Sequence, residues 1–404
     1  MADVALLQCE SYSLVELKKT ISDGLALLAF PMHEIRGRTI ALKPNLLSAV
    51  SPDTAVITHP VFFQAAAEIM LDHGARPILI ESPAVSSLAA VMKASGYSQV
   101  VERLGIPVAD TSIVAKITNP EAKRFKTFEI AQAFFDCEMI INLPKFKTHG
   151  LTYTTGAVKN FFGTVPGMRK SEMHLRFPDN IAFAESILDL YGAFLKGFDP
   201  PRKILHIMDA ITCLEGDGPG TSGKPKKVNA VLAGTDGLAV DCIATKVSGL
   251  SEELSTLLTL GYLRGYGVTS EHDIRVLGKS IHAMQVKGFV PSAGQGMTGI
   301  IRLPFVKRIL TDFFMSRPMI DDSKCTACCQ CVKICPVQAM AKASNVGQPP
   351  RFEYSRCIRC FCWKHFLERL HPYDEGKVRF LRQRLEGRHK GWFQMVQRHQ
   401  RLYH

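Results

Sequence analysis

The sequence has no apolar run long enough to cross a bilayer. Segments such as "VFFQAAAEIML" and "EMIINL" are short or broken by polar groups, whereas a spanning helix needs about 20 apolar residues. A secretory signal is missing as well. The N-terminal "MADVALLQCESYSLVELKK" has acidic residues where a basic flank is required, and no clean apolar stretch before a small-residue cleavage site. No G-x-G-x-x-G follows the first candidate strand and there is no phosphate-loop lysine motif, which argues against NAD and ATP. Nor do the cysteines form a disulfide framework. Cys325, Cys328, Cys329, Cys331, Cys335, Cys357, Cys360 and Cys362 crowd together at metal-ligand spacings, while Cys9, Cys137, Cys213 and Cys242 are scattered. That distribution belongs to a cofactor site in a reducing compartment, so a cytoplasmic location is expected.

What is present suits a globular protein: 46% hydrophobic and 21% charged residues over 404 positions, enough for a sizeable core and two or three structural units. Much of the net charge of +12 sits after residue 366, in "GKVRFLRQRLEGRHKGWFQMVQRHQRLYH". A basic helical tail over 367–404 is expected, either as a solvated amphipathic helix or as a docking segment for an acidic partner or anionic lipid. No nucleic-acid recognition motif accompanies the charge, so nucleic acid is not an expected partner.

Up to about residue 285, short apolar runs alternate with amphipathic ones. Strands are predicted over 39–42, 77–80, 106–109, 139–143, 204–208 and 228–233. Helices are predicted over "PVFFQAAAEIMLDHG", with Thr58 or His59 as cap and Pro60 in the first turn, and over "PDNIAFAESILDLYGAFL". The expected fold is α/β, a mainly parallel sheet covered by helices, over 1–285. Residues 286–318 then form a connecting segment that also packs against something, and a small C-terminal ferredoxin-like iron-sulfur module follows over 319–366.

The run "CTACCQCVKICP" places Cys325, Cys328, Cys331 and Cys335 before Pro336, the spacing of bacterial ferredoxins, in which three thiolates wrap one cubane and the fourth reaches another. Zinc sites normally pair two C-x2-C knuckles further apart. One or two 4Fe-4S clusters are therefore expected. In "CIRCFCWKHFL" Cys357 and Cys360 keep the spacing, but Trp363 and Leu367 stand where further cysteines would be expected. With crossed ligation, Cys335, Cys357, Cys360 and the neighbouring Cys362 complete one cluster. The cluster of Cys325, Cys328 and Cys331 is left one ligand short, open to Cys329, His365, His371 or an outside ligand.

The chain resembles the domain of unknown function 362 family, in the form followed by a ferredoxin-type module. The stretches that carry the resemblance are "ALKPNL", "THPVFFQAAAEIMLDHGARPILIESP", "MIINLPKFKTHGLTYTTGAVKNFFGTVPG", "MDAITCLEGDGPGTSG", "AGTDGLAVDCIA" and the cysteine run. It covers most of residues 38–366. It implies this architecture and a cytoplasmic redox role without naming a substrate, and it marks Trp363 and Leu367 as departures from a fuller second cysteine motif.

Ionisable and amide residues follow most of the predicted strands, and open parallel sheets bind ligands at the carboxyl ends of their strands. Lys145, Lys147 and His149 would share one face of an extended segment, and Lys159 and Asn160 would lie near a helix start. These four cationic residues are the candidate catalytic groups for an anionic ligand. Lys43, Asn45, Glu81, Asn160, His174, Asp209, Asp217 and Asp236 are the candidate substrate-binding groups, with Asp236 and Asp241 equally suited to capping a helix. A metal site from His59, His149, His174 and a carboxylate is a weaker alternative, since the spacing has no compact ligand motif. The expected function is an iron-sulfur redox protein whose cluster exchanges electrons with a small anionic substrate, or else an electron carrier docking on a redox partner protein, or a chain with a structural cluster.

Overall fold

The computed structural model describes residues 1–83, 86–166, 170, 173, 179–293, 320, 325, 327–329, 331, 332, 335, 339–341 and 347–354. The chain divides into two compact units, Met1–Phe314 and Met315–His404. In the first unit the strands are β1 (Ala2–Gln8), β2 (Thr39–Pro44), β3 (Arg76–Leu79), β4 (Val114–Thr118), β5 (Thr127–Ala131), β6 (Met139–Leu143), β7 (Lys145–His149), β8 (Tyr153–Thr155), β9 (Lys203–Gly216), β10 (Gly223–Gly234) and β11 (Ile274–Gly278). Its helices are α1 (Leu14–Leu27), α2 (Pro60–Asp72), α3 (Leu88–Ser95), α4 (Tyr97–Leu104), α5 (Ala157–Asn160), α6 (Asn180–Lys196), α7 (Gly237–Val247), α8 (Thr256–Leu263) and α9 (Ile281–Met284).

Nine strands make one sheet in the order β11-β1-β10-β9-β6-β2-β3, with β7 beside β9 and β8 against β7. The sheet is mainly parallel, as expected from the sequence. Alternate residues of each strand enter opposite cores, as the two-residue period of a pleated strand requires. Ile40, Leu42, Ile141, Leu205 and Ile207 pack with Leu17, Ile21, Phe62, Phe63 and Ile69 of α1 and α2. Ala41, Ile140, Met208 and Leu232 pack with Phe183, Ile187, Leu238, Ile243 and Leu257 of α6, α7 and α8. The helix predicted from "PVFFQAAAEIMLDHG" forms with His59 as N-cap, its ring nitrogen accepting the Val61 N–H, and Pro60 at the first position.

Several features differ from the sequence reading, β4, β5, β8 and β11 among them. Residues 106–109 make a single parallel bridge, Leu79 to Val108, rather than a strand, because Pro107 has no N–H to extend a ladder. β10 runs antiparallel to both β9 and β1, so its carboxyl end points to the opposite rim of the sheet from those of β2, β3 and β6. β1 was not predicted. Being antiparallel to β10, it runs parallel to β9 and delivers the loop that follows it to the same rim as β2 and β6.

Pro144 separates β6 from β7, and the two succeed one another along the long strand β9. β6 pairs with its first part and β7 with residues from Asp209 onward, across a register shift between Lys145 and Lys147. The Asp209 N–H bridges the break by donating to the Pro144 carbonyl at 2.9 Å. The first residues of the expected connection also pack on this unit: Phe289 is buried against Phe146, and the Val290 N–H donates to Glu215.

Gly163 closes over the ends of β2 and β3, its carbonyl accepting the Ser82 N–H at 2.9 Å. A methyl group there would collide with the Glu81 carboxylate and the Lys43 ammonium. Gly163→Ala is therefore expected to lower stability by about 1–3 kcal/mol in urea unfolding. An unchanged midpoint would contradict this packing.

Candidate functional site

Each parallel strand ends in a polar residue at one rim of the sheet. Lys43 is the next-to-last residue of β2 and Asn45 follows the strand; Glu81 follows the end of β3; Asn142 lies in β6; Lys145 and Lys147 are on β7; Asp209 lies midway along β9. Burial here is nearly complete: Lys43, Lys145 and Lys147 retain at most 1% exposure, Glu81 3% and Asp209 none. Lys43 pairs with Glu81 and also donates to the Pro44 carbonyl at 2.9 Å. Lys145 donates to Asp209 at 2.9 Å and to the Tyr12 phenol at 2.8 Å. Tyr12 completes the triangle by donating to the other Asp209 oxygen at 2.9 Å, and its ring stacks on His59 with centroids 3.7 Å apart. Removing one member of such a buried pair leaves an uncompensated charge and costs about 3–5 kcal/mol.

An amide chain runs beside these pairs and reaches the Lys43 carbonyl through Asn160. Asn142 bonds the His206 ring and the Ala157 carbonyl, Asn160 donates to Asn142 at 2.7 Å, and Asn45 donates to Asn160 at 3.0 Å. Lys147 ends the chain, donating at 2.8 Å to both Asn45 and the Val56 carbonyl. The short helix α5, which carries Lys159 and Asn160, is held at its start by Asp241, whose carboxylate accepts the Ala157 and Val158 N–H groups. Burial raises the Asp241 carboxyl to about 7 against the pull of those amides.

Among the described residues, the rim has more amines than carboxylates. Burial holds the Lys147 amine well below the usual lysine value, reinforced by the charges of Lys159, Lys145 and Lys43. Burial and the neighbouring Lys170 bring Lys159 to about 7, and burial with Lys43 brings Lys170 to about 8 against the attraction of Glu81. Lys170 donates to the Ser82 carbonyl. Among the described residues, Lys147, Lys159 and Lys170 have no carboxylate partner. His59 is lowered to about 4 and His206 to about 3 by burial, so both are neutral near pH 7.

The structure thus gathers Lys43, Asn45, Glu81, Lys145, Lys147, Lys159, Asn160 and Asp209, and adds Tyr12, Asn142, Lys170 and His206, which the sequence reading missed. Other candidates lie elsewhere. Asp236 caps α7, accepting the Leu238, Ala239 and Val268 N–H groups, because β10 carries it to the opposite rim. Asp217 follows β9, which overshoots Asp209 by roughly 23 Å at about 3.3 Å per residue, and it binds the Ala293 N–H. His149 turns away from the lysines: its Nδ1 accepts the Leu151 and Thr152 N–H groups, and its ring faces Phe183. His174 lies outside the described residues. No three His, Cys, Asp or Glu side chains among the described residues converge as around a single metal ion.

In the second unit, β12 (Met340–Ala341) pairs antiparallel with β13 (Arg351–Phe352). Ala327 and Cys329 have positive φ angles of 52° and 54°, winding the chain tightly between the first cysteines. The Cys325 sulfur accepts the Ala327 N–H at 3.4 Å and the Cys335 sulfur the Ala339 N–H at 3.1 Å. The Cys331 thiol is raised by burial and by the neighbouring Cys325 and Cys328. None of the four is in a disulfide among the described residues, and backbone N–H groups aimed at sulfur suit thiolates ligating a cluster. Cys325, Cys328, Cys331 and Cys335 therefore fit as ligands. Cys357, Cys360 and Cys362, with the expected repair of the second motif and the basic tail, lie outside the described residues.

The 4Fe-4S binding domain family matches residues 318–341, which include the first cysteine run and stop before the second. Over 246 residues the chain is 30% identical to the thylakoid-associated protein sll1697 of Synechocystis sp., covering 60% of this chain and 74% of that protein. The lactate racemase apoprotein of Thermoanaerobacterium thermosaccharolyticum is similar at a TM-score of 0.38 and 15% identity, over 62% of this chain and 57% of that one. The family model described as domain of unknown function (DUF362) matches residues 40–246, which span β2 to α7 and every strand of the lysine-rich rim but β1. The chain belongs to the domain of unknown function 362 family and bears a C-terminal 4Fe-4S binding domain.

Proposed function

We propose that this is a cytoplasmic iron-sulfur redox protein that binds a small anionic ligand at the lysine-rich rim and exchanges electrons with it. The observation that carries the reading is the surplus of Lys147, Lys159 and Lys170 over carboxylates in a buried setting. Buried cations are stable when paired, and a carboxylate or phosphate would supply the missing charge. When bound, the cluster supplies one-electron chemistry, and carrying it on the same chain raises its effective concentration at the ligand. Tyr12, whose phenol is raised well above its usual value by burial and by Asp209, stays protonated and keeps its hydrogen on Asp209. Lys145 and Asp209 hold it in place. Free buried thiols at Cys9, Cys137, Cys213 and Cys242 accord with a reducing compartment.

Iron and sulfide analysis of anaerobically purified protein is expected to give about four of each per chain for one cubane and about eight for two. Cys362→Ser should remove the more stable cluster; loss of that cluster in Cys325→Ser alone would reverse the crossed-ligation assignment. For the rim, Lys147→Met is the informative change because Lys147 is outside both ion pairs. It should weaken oxalate binding by about tenfold or more, equivalent to about 1.4 kcal/mol, and slow ligand-dependent cluster reoxidation with iron content unchanged. Salt-sensitive transfer to an acidic partner protein that survives Lys147→Met and fails without the tail would instead identify a docking electron carrier.

A further inference from the structure

Lys159 differs from the other amines of the rim in having nothing to bind. Lys43 and Lys145 face carboxylates, Lys147 donates to Asn45 and Val56, and Lys170 donates to Ser82. No hydrogen bond or ion pair engages the Lys159 amine among the described residues. The residue as a whole is half-buried, and burial acts strongly on its amine. Its base is fixed on both sides: Asp241 holds the preceding Ala157 and Val158 N–H groups, and Asn160 is tied to Asn45 and Asn142. The charges that act on it and that it acts on are cationic, Lys170 and Lys147.

An amine brought to about 7 by these surroundings is substantially uncharged at neutral pH and carries a free lone pair. Desolvation beside a second cation is one of the ways in which lysine is made nucleophilic towards carbonyl groups. Lys147 and Lys170 would receive the negative group of the same molecule.

Building on the anion-binding role of the rim, we propose that Lys159 condenses with the carbonyl carbon of a small anionic aldehyde or 2-oxo acid to form an imine. The Nζ lone pair forms the new carbon–nitrogen bond. The carbonyl oxygen leaves as water, taking both hydrogens of the neutral amine, and no electrons change hands. The imine would then withdraw electron density from the ligand's adjacent carbon.

The test uses the full chain, glyoxylate as probe and cyanoborohydride to fix any imine, with peptide mapping at limiting probe. Lys159 is expected to be labelled at least about tenfold faster than the exposed Lys224, as its higher uncharged fraction requires. Its labelling should rise with pH through about 7 and then level off. Lys159→Arg should remove that fast phase. Labelling of Lys159 no faster than Lys224, or a fast phase that persists in Lys159→Arg, would overturn the proposal. Oxalate calorimetry on the same preparation judges the anion site separately: heat of binding without fast labelling rejects the imine alone, and no heat rejects the anion-binding reading.

Discussion

The structure turns on how a sheet tolerates five amines and two carboxylates, Lys43, Lys145, Lys147, Lys159, Lys170, Glu81 and Asp209, at one largely dry rim. Two amines are answered by carboxylates. Of the remaining three, Lys147 and Lys170 donate to amide and carbonyl oxygens, and burial lowers all three, bringing Lys159 to about 7 and Lys170 to about 8. Such a centre is unfavourable unless the surrounding structure enforces it, and the enforcement is visible: Gly163 gives way to the Lys43–Glu81 pair, Asp241 pins α5, and a chain of asparagines sets the spacing between strands. Polar networks of this kind are costly when half satisfied, so an incoming anion has favourable free energy available before it makes any contact of its own.

The break at Pro144 links this electrostatics to the fold. A continuous strand would have hidden its side chains alternately in the two cores. Losing one backbone donor and shifting register lets β7 present Lys145 and Lys147 to the rim while Phe146 remains in the core. The longer β9 supplies Asp209 opposite the break and then runs on to the turn that holds residues 290–293.

Much of this was legible in the sequence. Apolar runs ending in Lys43, Glu81 and Lys145 marked both strand and rim, since period-two burial and polar strand ends are local signals. Strand direction is not local. Asp236 follows an apolar run just as Asp209 does, and only the antiparallel pairing of β10 sends it to the far rim as a helix cap. Tyr12 was missed for the converse reason: β1 did not stand out as a strand, so the loop after it was not considered. Asn142 did leave a signal, because an amide inside "MIINL" must find partners when that strand is buried. His206 inside "ILHIM" left the same signal, whereas Lys170 left none, as its partner is distant in sequence.

In the cysteine-rich unit, spacing predicted ligands that the described sulfurs and their N–H donors fit, whereas the rim had to be assembled from eight segments before its charge imbalance appeared. That imbalance has a direct thermodynamic signature. Lys159 and Lys170, at about 7 and about 8 without an anion, should regain protons when one binds and raises both values. Calorimetry of oxalate binding at pH 8, repeated in buffers of different ionisation enthalpy, measures this proton uptake. The account predicts net uptake that diminishes as pH falls below 7; binding with no proton exchange, or with release, would contradict it.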